Sequence, residues 1–151
     1  MRTILLLSGP NLNLLGEREP AIYGTETLDD HVARARSAAE VGGFELEHLH
    51  SNHEGALVDA VQGARGRCAA VVINPGALTH YSYALADALA TYDGVVVELH
   101  LTNPSAREAW RRASVISPVA TATISGLGGL GYELAIGAAA RLASDGKAGR
   151  K

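Results

Sequence analysis

The chain has 151 residues, 47% of them hydrophobic and 19% charged, enough to bury a core in one domain and too apolar for a disordered chain. A formal net charge of −3 without a basic run removes the main driving force for nucleic-acid binding, and no stretch approaches the roughly 18 apolar residues of a membrane span. The single cysteine, Cys68, excludes an internal disulfide and a cysteine-built zinc cluster and suits a reducing, cytoplasmic compartment. The only lysines, Lys147 and Lys151, lie in a polar tail, where neither is the desolvated amine that imine chemistry requires.

In chain order, the apolar run Thr3 to Ser8 reads as a buried strand. It breaks at Ser8-Gly9-Pro10 without a small-residue cleavage site, which argues against a signal peptide. Residues 9–24 then carry Pro10, Gly16, Pro20 and Gly24 and few apolar residues in helical register. A structureless connection of that length in a compact domain is expected to be a lid or binding loop, here bearing Arg18 and Tyr23 between glycine hinges. Thr27-Leu28-Asp29-Asp30 and Ser51-Asn52-His53-Glu54 read as capping boxes opening helices, the second leading into a face of Leu57, Val58, Val61 and Ala64. Further strands are expected over Phe44 to His50, Ala69 to Asn74, Val95 to His100 and Val119 to Ser125. Helical patterns begin near His80 and at Asn103-Pro104, a capping residue before a first-turn proline. Five strand-helix units predict an α/β flavodoxin-like fold, a five-stranded parallel sheet of order 2-1-3-4-5 with helices on both faces. Residues 1–143 are expected to form a single catalytic domain, followed by a polar tail over 144–151.

In such a sheet, ligands bind beyond the carboxyl ends of the strands where the strand order reverses. Ser8-Gly9-Pro10-Asn11, Asn74-Pro75-Gly76 and Glu98-Leu99-His100 meet there, with the lid above them. Glu98 and His100 alternate along one strand and share a face, so the carboxylate can orient the imidazole as a general acid. A tyrosine is a base only as tyrosinate, which an ordinary phenol with a pKa near 10 does not populate at neutral pH; a close arginine such as Arg18 favours the anion of Tyr23. A base and an acid without imine or metal point to proton abstraction beside a carbonyl followed by loss of water. The amides opening the Asn103-Pro104 helix suit a substrate carboxylate.

The lid Gly9-Pro10-Asn11-Leu12-Asn13-Leu14-Leu15-Gly16-Glu17-Arg18-Glu19-Pro20, followed by Tyr23-Gly24, resembles the type II 3-dehydroquinate dehydratases. So do Ser51-Asn52-His53-Glu54-Gly55, Ile73-Asn74-Pro75-Gly76-Ala77, Thr79-His80, Glu98-Leu99-His100 and Arg107-Glu108 with Arg111, in family order from about residue 3 to residue 142. The resemblance implies anti elimination of water from 3-dehydroquinate through an enolate, giving 3-dehydroshikimate, with no cofactor and no metal. It implies that Tyr23 abstracts the proton at C2, Arg18 stabilises the tyrosinate, and His100, oriented by Glu98, protonates the departing hydroxyl. Asn11 positions a water on the enolate, Asn74 and the backbone of Leu101-Thr102 bind the carboxylate, and His80 and Arg111 bind ring hydroxyls. Asp87 contributes across a subunit boundary, since family members form trimers assembled into dodecamers. This chain departs from the family pattern at Thr102, where serine is usual, at Tyr81, which replaces a threonine, and at Arg112-Ala113, which replaces a histidine-rich pair.

Each of these residues alone has a structural explanation: Tyr23 as a packing aromatic, Arg18 and Asp87 as solvated charges, Asn74 as a strand end, His100 with Glu98 as an ion pair. Convergence on one sheet edge and the family order single them out. His48 and His50 share a strand face but have no third ligand at a recognised metal spacing. Gly126-Leu127-Gly128-Gly129-Leu130-Gly131 matches the dinucleotide pattern G-x-G-x-x-G, yet no strand with an acidic residue about 20 positions on follows it. A tight turn with close helix packing is the expected role. The alternative to catalysis is a flavodoxin-like ligand-binding module.

Overall fold

The computed structural model describes residues 1–146. Lys147 and Lys151 lie outside the described residues. The strands are β1 (Arg2–Ser8), β2 (Phe44–His50), β3 (Ala70–Asn74), β4 (Val95–His100) and β5 (Ala122–Ser125), all parallel in the order β2-β1-β3-β4-β5. The fold is the expected flavodoxin-like one. Helices α2 (Leu28–Val41) and α5 (Leu130–Ser144) cover one face, α3 (Glu54–Ala64) and α4 (Tyr83–Ala90) the other. A four-residue helix, α1 (Pro20–Tyr23), sits in the segment after β1.

The continuous apolar runs follow from burial on both faces. Ile4 and Leu6 of β1 pack with Ala35, Ala39, Tyr132 and Ile136, whereas Leu5 and Leu7 pack with Leu57, Val61 and Leu85. Thr27 closes a reciprocal capping box with Asp30, each side chain accepting the other's backbone N–H at 2.9 and 3.2 Å. Leu57, Val61 and Ala64 are buried as the helical face predicted.

Four local expectations are corrected. Ser51 does not cap α3: its backbone N–H still donates to Ser8 as a continuation of the β1–β2 ladder, and its hydroxyl accepts from His53 N at 2.9 Å. His53 is the residue before α3, and Glu54 instead accepts from the Ser82 hydroxyl. No α-helix joins β4 to β5. Asn103 does cap a turn, accepting from Ser105 N at 3.1 Å, but Pro104–Ala106 and Ala109–Arg111 are only short 3₁₀ turns. Besides the exposed Trp110, the periodic positions there hold only alanines, Ala106, Ala109 and Ala113, too little apolar area to hold a helix on the sheet. The strand expected from Val119 begins at Ala122, because Pro118 lies in a 3₁₀ turn over Ser117–Val119. Residues 9–24 are not structureless: a 3₁₀ turn at Leu12–Leu14 precedes α1, and Leu12 and Leu15 are buried in the α2/α5-side core.

Candidate active site

The carboxyl ends of β1 and β3 can approach closely because two glycines leave room. A methyl group on Gly9 would stand 2.5 Å from the Pro75 carbonyl oxygen, and Gly76, at φ +59°, faces the Pro10 carbonyl. The cleft beyond them is lined by Asn11, Arg18, Tyr23, Asn74, His80, His100, Leu101, Thr102 and Arg111, together with Arg107. Glu98 lies beneath the cleft, 1% exposed, and reaches it through His100. Asp87 is exposed on α4 and is not among the residues lining the cleft.

The β4 side is densely hydrogen-bonded. His100 Nε2 lies 2.6 Å from Glu98 Oε2. The other partners of that carboxylate are the hydroxyls of Ser114, at 3.0 and 3.2 Å, of Ser117, at 2.6 Å, and of Thr79. Burial alone pushes the Glu98 carboxyl up, but the hydrogen bonds from His100, Ser117 and Thr79 outweigh it and hold the group at about 2. Glu98 is therefore ionised, so His100 Nε2 donates to it and Nδ1 is the ring atom left for the cleft. Thr79, Ser114 and Ser117 carried no sequence signal of this role; only the fold brings the three hydroxyls to one carboxylate.

The lid side is built differently. Arg107 Nη1 donates to Tyr23 Oη at 2.7 Å, while Arg18 Cζ stands over the Tyr23 ring, 4.8 Å from its centroid. Sequence reasoning paired Tyr23 with Arg18; the guanidinium on its oxygen is that of Arg107, from the irregular β4–β5 connection. The Arg107-Glu108 dipeptide was visible in the sequence without pointing to this contact. Asn11 adopts a left-handed conformation, φ 71°, with its N–H donating to Asn52 Oδ1 at 2.9 Å. Such a backbone is costly for a residue with a side chain and persists where its surroundings fix it.

The remaining groups surround the cleft floor. His80 Nδ1 is 2.7 Å from the Ala113 carbonyl oxygen, to which it donates, and its ring meets Trp110 edge-on. The contact uses only the backbone of residue 113, so the Ala113 departure leaves it intact. Arg111 stacks on Trp110 and donates to Glu108 at 2.6 Å. The glycine-rich turn acts as a support: Gly126 and Gly128 donate to the carbonyls of His100 and Leu101 at 3.3 and 2.9 Å, fixing the loop that carries Leu101 and Thr102. Among the described residues, no three His, Cys, Asp or Glu side chains are grouped to hold a metal ion. His48 instead pairs with the Ser8 hydroxyl at 2.9 Å.

A family model described as "Dehydroquinase class II" matches residues 2–140. The chain belongs to that family. It is 54% identical over 142 residues to a protein of Caulobacter sp. (strain K31) named 3-dehydroquinate dehydratase, covering 94% of this chain and 97% of that one. It is 55% identical over 138 residues to a protein of Verticillium alfalfae named catabolic 3-dehydroquinase, covering 91% and 92%. The crystal structure of a type II dehydroquinase from Propionibacterium acnes matches with a TM-score of 0.89 at 43% identity, over 93% of this chain and 97% of that one.

Proposed function

We propose that the cleft dehydrates 3-dehydroquinate to 3-dehydroshikimate, as a hydro-lyase working without an imine. The observation that carries this reading is a tyrosine held by a guanidinium, opposite a histidine backed by an ionised, buried carboxylate, in one cleft. Tyr23, as tyrosinate, takes the proton at C2, and the electron pair moves into the adjacent carbonyl to form an enolate. Arg18 and Arg107 counter the negative charge of the tyrosinate before transfer. The enolate then re-forms the carbonyl, the C–O bond to the tertiary hydroxyl breaks, and His100 delivers a proton from Nδ1 so that water leaves. Glu98 offsets the charge of the imidazolium and holds its plane.

The same reading extends to the substrate contacts. Asn74 and the backbone at Leu101-Thr102 bind the carboxylate, His80 and Arg111 bind ring hydroxyls, and Asn11 positions a water on the enolate oxygen. The catalytic unit spans residues 1–143. Asp87, exposed on α4 near the exposed Tyr81 and Tyr83, completes the cleft of a neighbouring subunit in a dodecamer built from trimers. Among the described residues no helix is long and apolar enough to cross a membrane. A cytoplasmic location suits the lone cysteine, Cys68, whose thiol is buried and pushed up in pKa by that burial. The reaction is the same in biosynthesis and in quinate breakdown. A non-catalytic binding module is not favoured, since ligand binding alone gives no reason to bury an ionised carboxylate behind an imidazole.

The test is ultraviolet absorbance of the purified protein mixed with 3-dehydroquinate, which follows the conjugated enone of the product. A steady rise is expected, and Tyr23→Phe should lower it by about 10³-fold or more. A flat trace from folded protein would remove the assignment.

A further inference from the structure

Behind the cleft runs a buried polar chain of which the reaction scheme above uses only Asn74. Asn74, 3% exposed at the end of β3, has its carboxamide held at two corners. Oδ1 accepts from Gly76 N at 3.2 Å, and Nδ2 donates to the Tyr132 hydroxyl at 3.3 Å. Reversing the amide would set Nδ2 against the Gly76 N–H, donor against donor. A carboxamide has two N–H bonds, so one remains for the cleft that Asn74 lines.

Tyr132 is itself fixed from both sides. It is fully buried, and its ring lies face to face with His31, 4.9 Å between centroids and 4° from parallel. That seat exists because residue 129 is glycine: a methyl there would stand 2.8 Å from His31 Cε1. The Ser8 side chain lies beside the Tyr132 hydroxyl, and burial pushes the phenol up to about 12, so it is a neutral hydroxyl. Ser8 in turn meets His48 Nε2 at 2.9 Å. Burial, with His50 and Arg36 acting in the same direction and Asp29 against it, favours a neutral His48. Asn74 thus donates to Tyr132, and Ser8 stands between Tyr132 and His48.

We propose that Tyr132, backed by Ser8, is a positioning residue for substrate binding, holding the Asn74 carboxamide so that an N–H faces the cleft for an anionic oxygen of the substrate. The proposal rests on the reading of Asn74 as the residue that binds the substrate carboxylate. That carboxylate makes and breaks no bond in the reaction, so its loss of alignment weakens ground state and transition state alike and appears in KM rather than kcat.

The test is a double-mutant cycle in steady-state kinetics with Asn74→Ala, Tyr132→Phe and the combined variant. Tyr132→Phe keeps the ring and its stack on His31. It should raise KM about tenfold with kcat changed less than about twofold, and add nothing further in the Asn74→Ala background. Ser8→Ala, run through the same cycle, should raise KM about threefold and likewise lose its effect without Asn74; it decides the matter if Tyr132→Phe fails to fold. A KM raised by Asn74→Ala but unchanged in the folded Tyr132 or Ser8 variant overturns the positioning role alone. So does an equal effect in both backgrounds, the mark of a structural role. An unchanged KM in Asn74→Ala overturns the substrate reading of that residue and the proposal together.

Discussion

The two walls of the cleft are built on opposite terms. The acid wall, Glu98 and His100, is part of a sheet strand, and its carboxylate is saturated by an imidazole and three hydroxyls. The base wall is a four-residue helix on a connecting segment, with Tyr23 half-buried and its oxygen held by one arginine from another loop. The difference fits the tasks proposed for the two walls. An acid must hold its proton at a fixed point until the hydroxyl leaves, whereas the base must admit the substrate before closing on it. It follows that damage to the acid wall should register in stability as well as rate, and damage to the base wall in rate alone.

The strongest way to break the base wall without touching Tyr23 is to remove its cation. Arg107→Gln should lower kcat by about 10³-fold, since the tyrosinate loses the charge on its oxygen. Thermal unfolding should leave the midpoint nearly unchanged, because Arg107 anchors no core element. An Arg107→Gln enzyme with near-normal kcat would shift the role back to Arg18.

On the acid wall, Glu98→Gln should lower kcat by about 10²-fold and also lower the thermal midpoint. The folded-state value of about 2 lies below the ordinary 4.5, so the stabilisation from this carboxylate is complete above pH 4.5. It is lost as the pH falls through that interval towards 2. Chemical denaturation as a function of pH should therefore give a flatter stability curve for Glu98→Gln than for the parent between pH 4.5 and 2. Parallel curves would place the acid sensitivity elsewhere.

A smaller effect should come from the lid hinge. Gly24 sits at φ +80° and ψ −176°, a region essentially closed to other residues. No atom within 4 Å would obstruct a methyl group there, so Gly24→Ala acts through backbone conformation alone. Moving α1 should lower kcat/KM about threefold with little change in the thermal midpoint. A large fall in stability would mean that α1, like Leu12 and Leu15 before it, is anchored in the core.

The two walls also differ in how well the sequence announced them. The strand wall was legible because its signals are local: Val95 to His100 is a buried run whose last residues alternate Glu98 and His100, and the structure places β4 over those six residues. Asn74 at the end of β3, the Thr27 cap and the core face of α3 were readable for the same reason. The contacts that complete each wall were not. Arg107 lies 84 residues from Tyr23, and Ser114 and Ser117 reach Glu98 from a connection that has only short 3₁₀ turns and no α-helix. Ala106, Ala109 and Ala113 have helical spacing yet too little side chain to enforce it. Ser51 looked like a cap because its neighbours had the right letters, while its backbone was still needed by the sheet. The glycine-rich turn carried a nucleotide pattern, and its glycines serve instead to seat His31 and to hold the Leu101 loop.

The most direct test of the division of labour separates the two proton transfers. 3-Dehydroquinate is incubated in deuterated water with His100→Gln and with Tyr23→Phe, and exchange of the C2 proton is followed by proton NMR. With His100→Gln the base is intact, so the C2 proton should wash out while little water is lost. With Tyr23→Phe neither exchange nor elimination should exceed the uncatalysed rate. Exchange that persists in Tyr23→Phe and vanishes in His100→Gln would contradict the account and reverse the roles of the two walls.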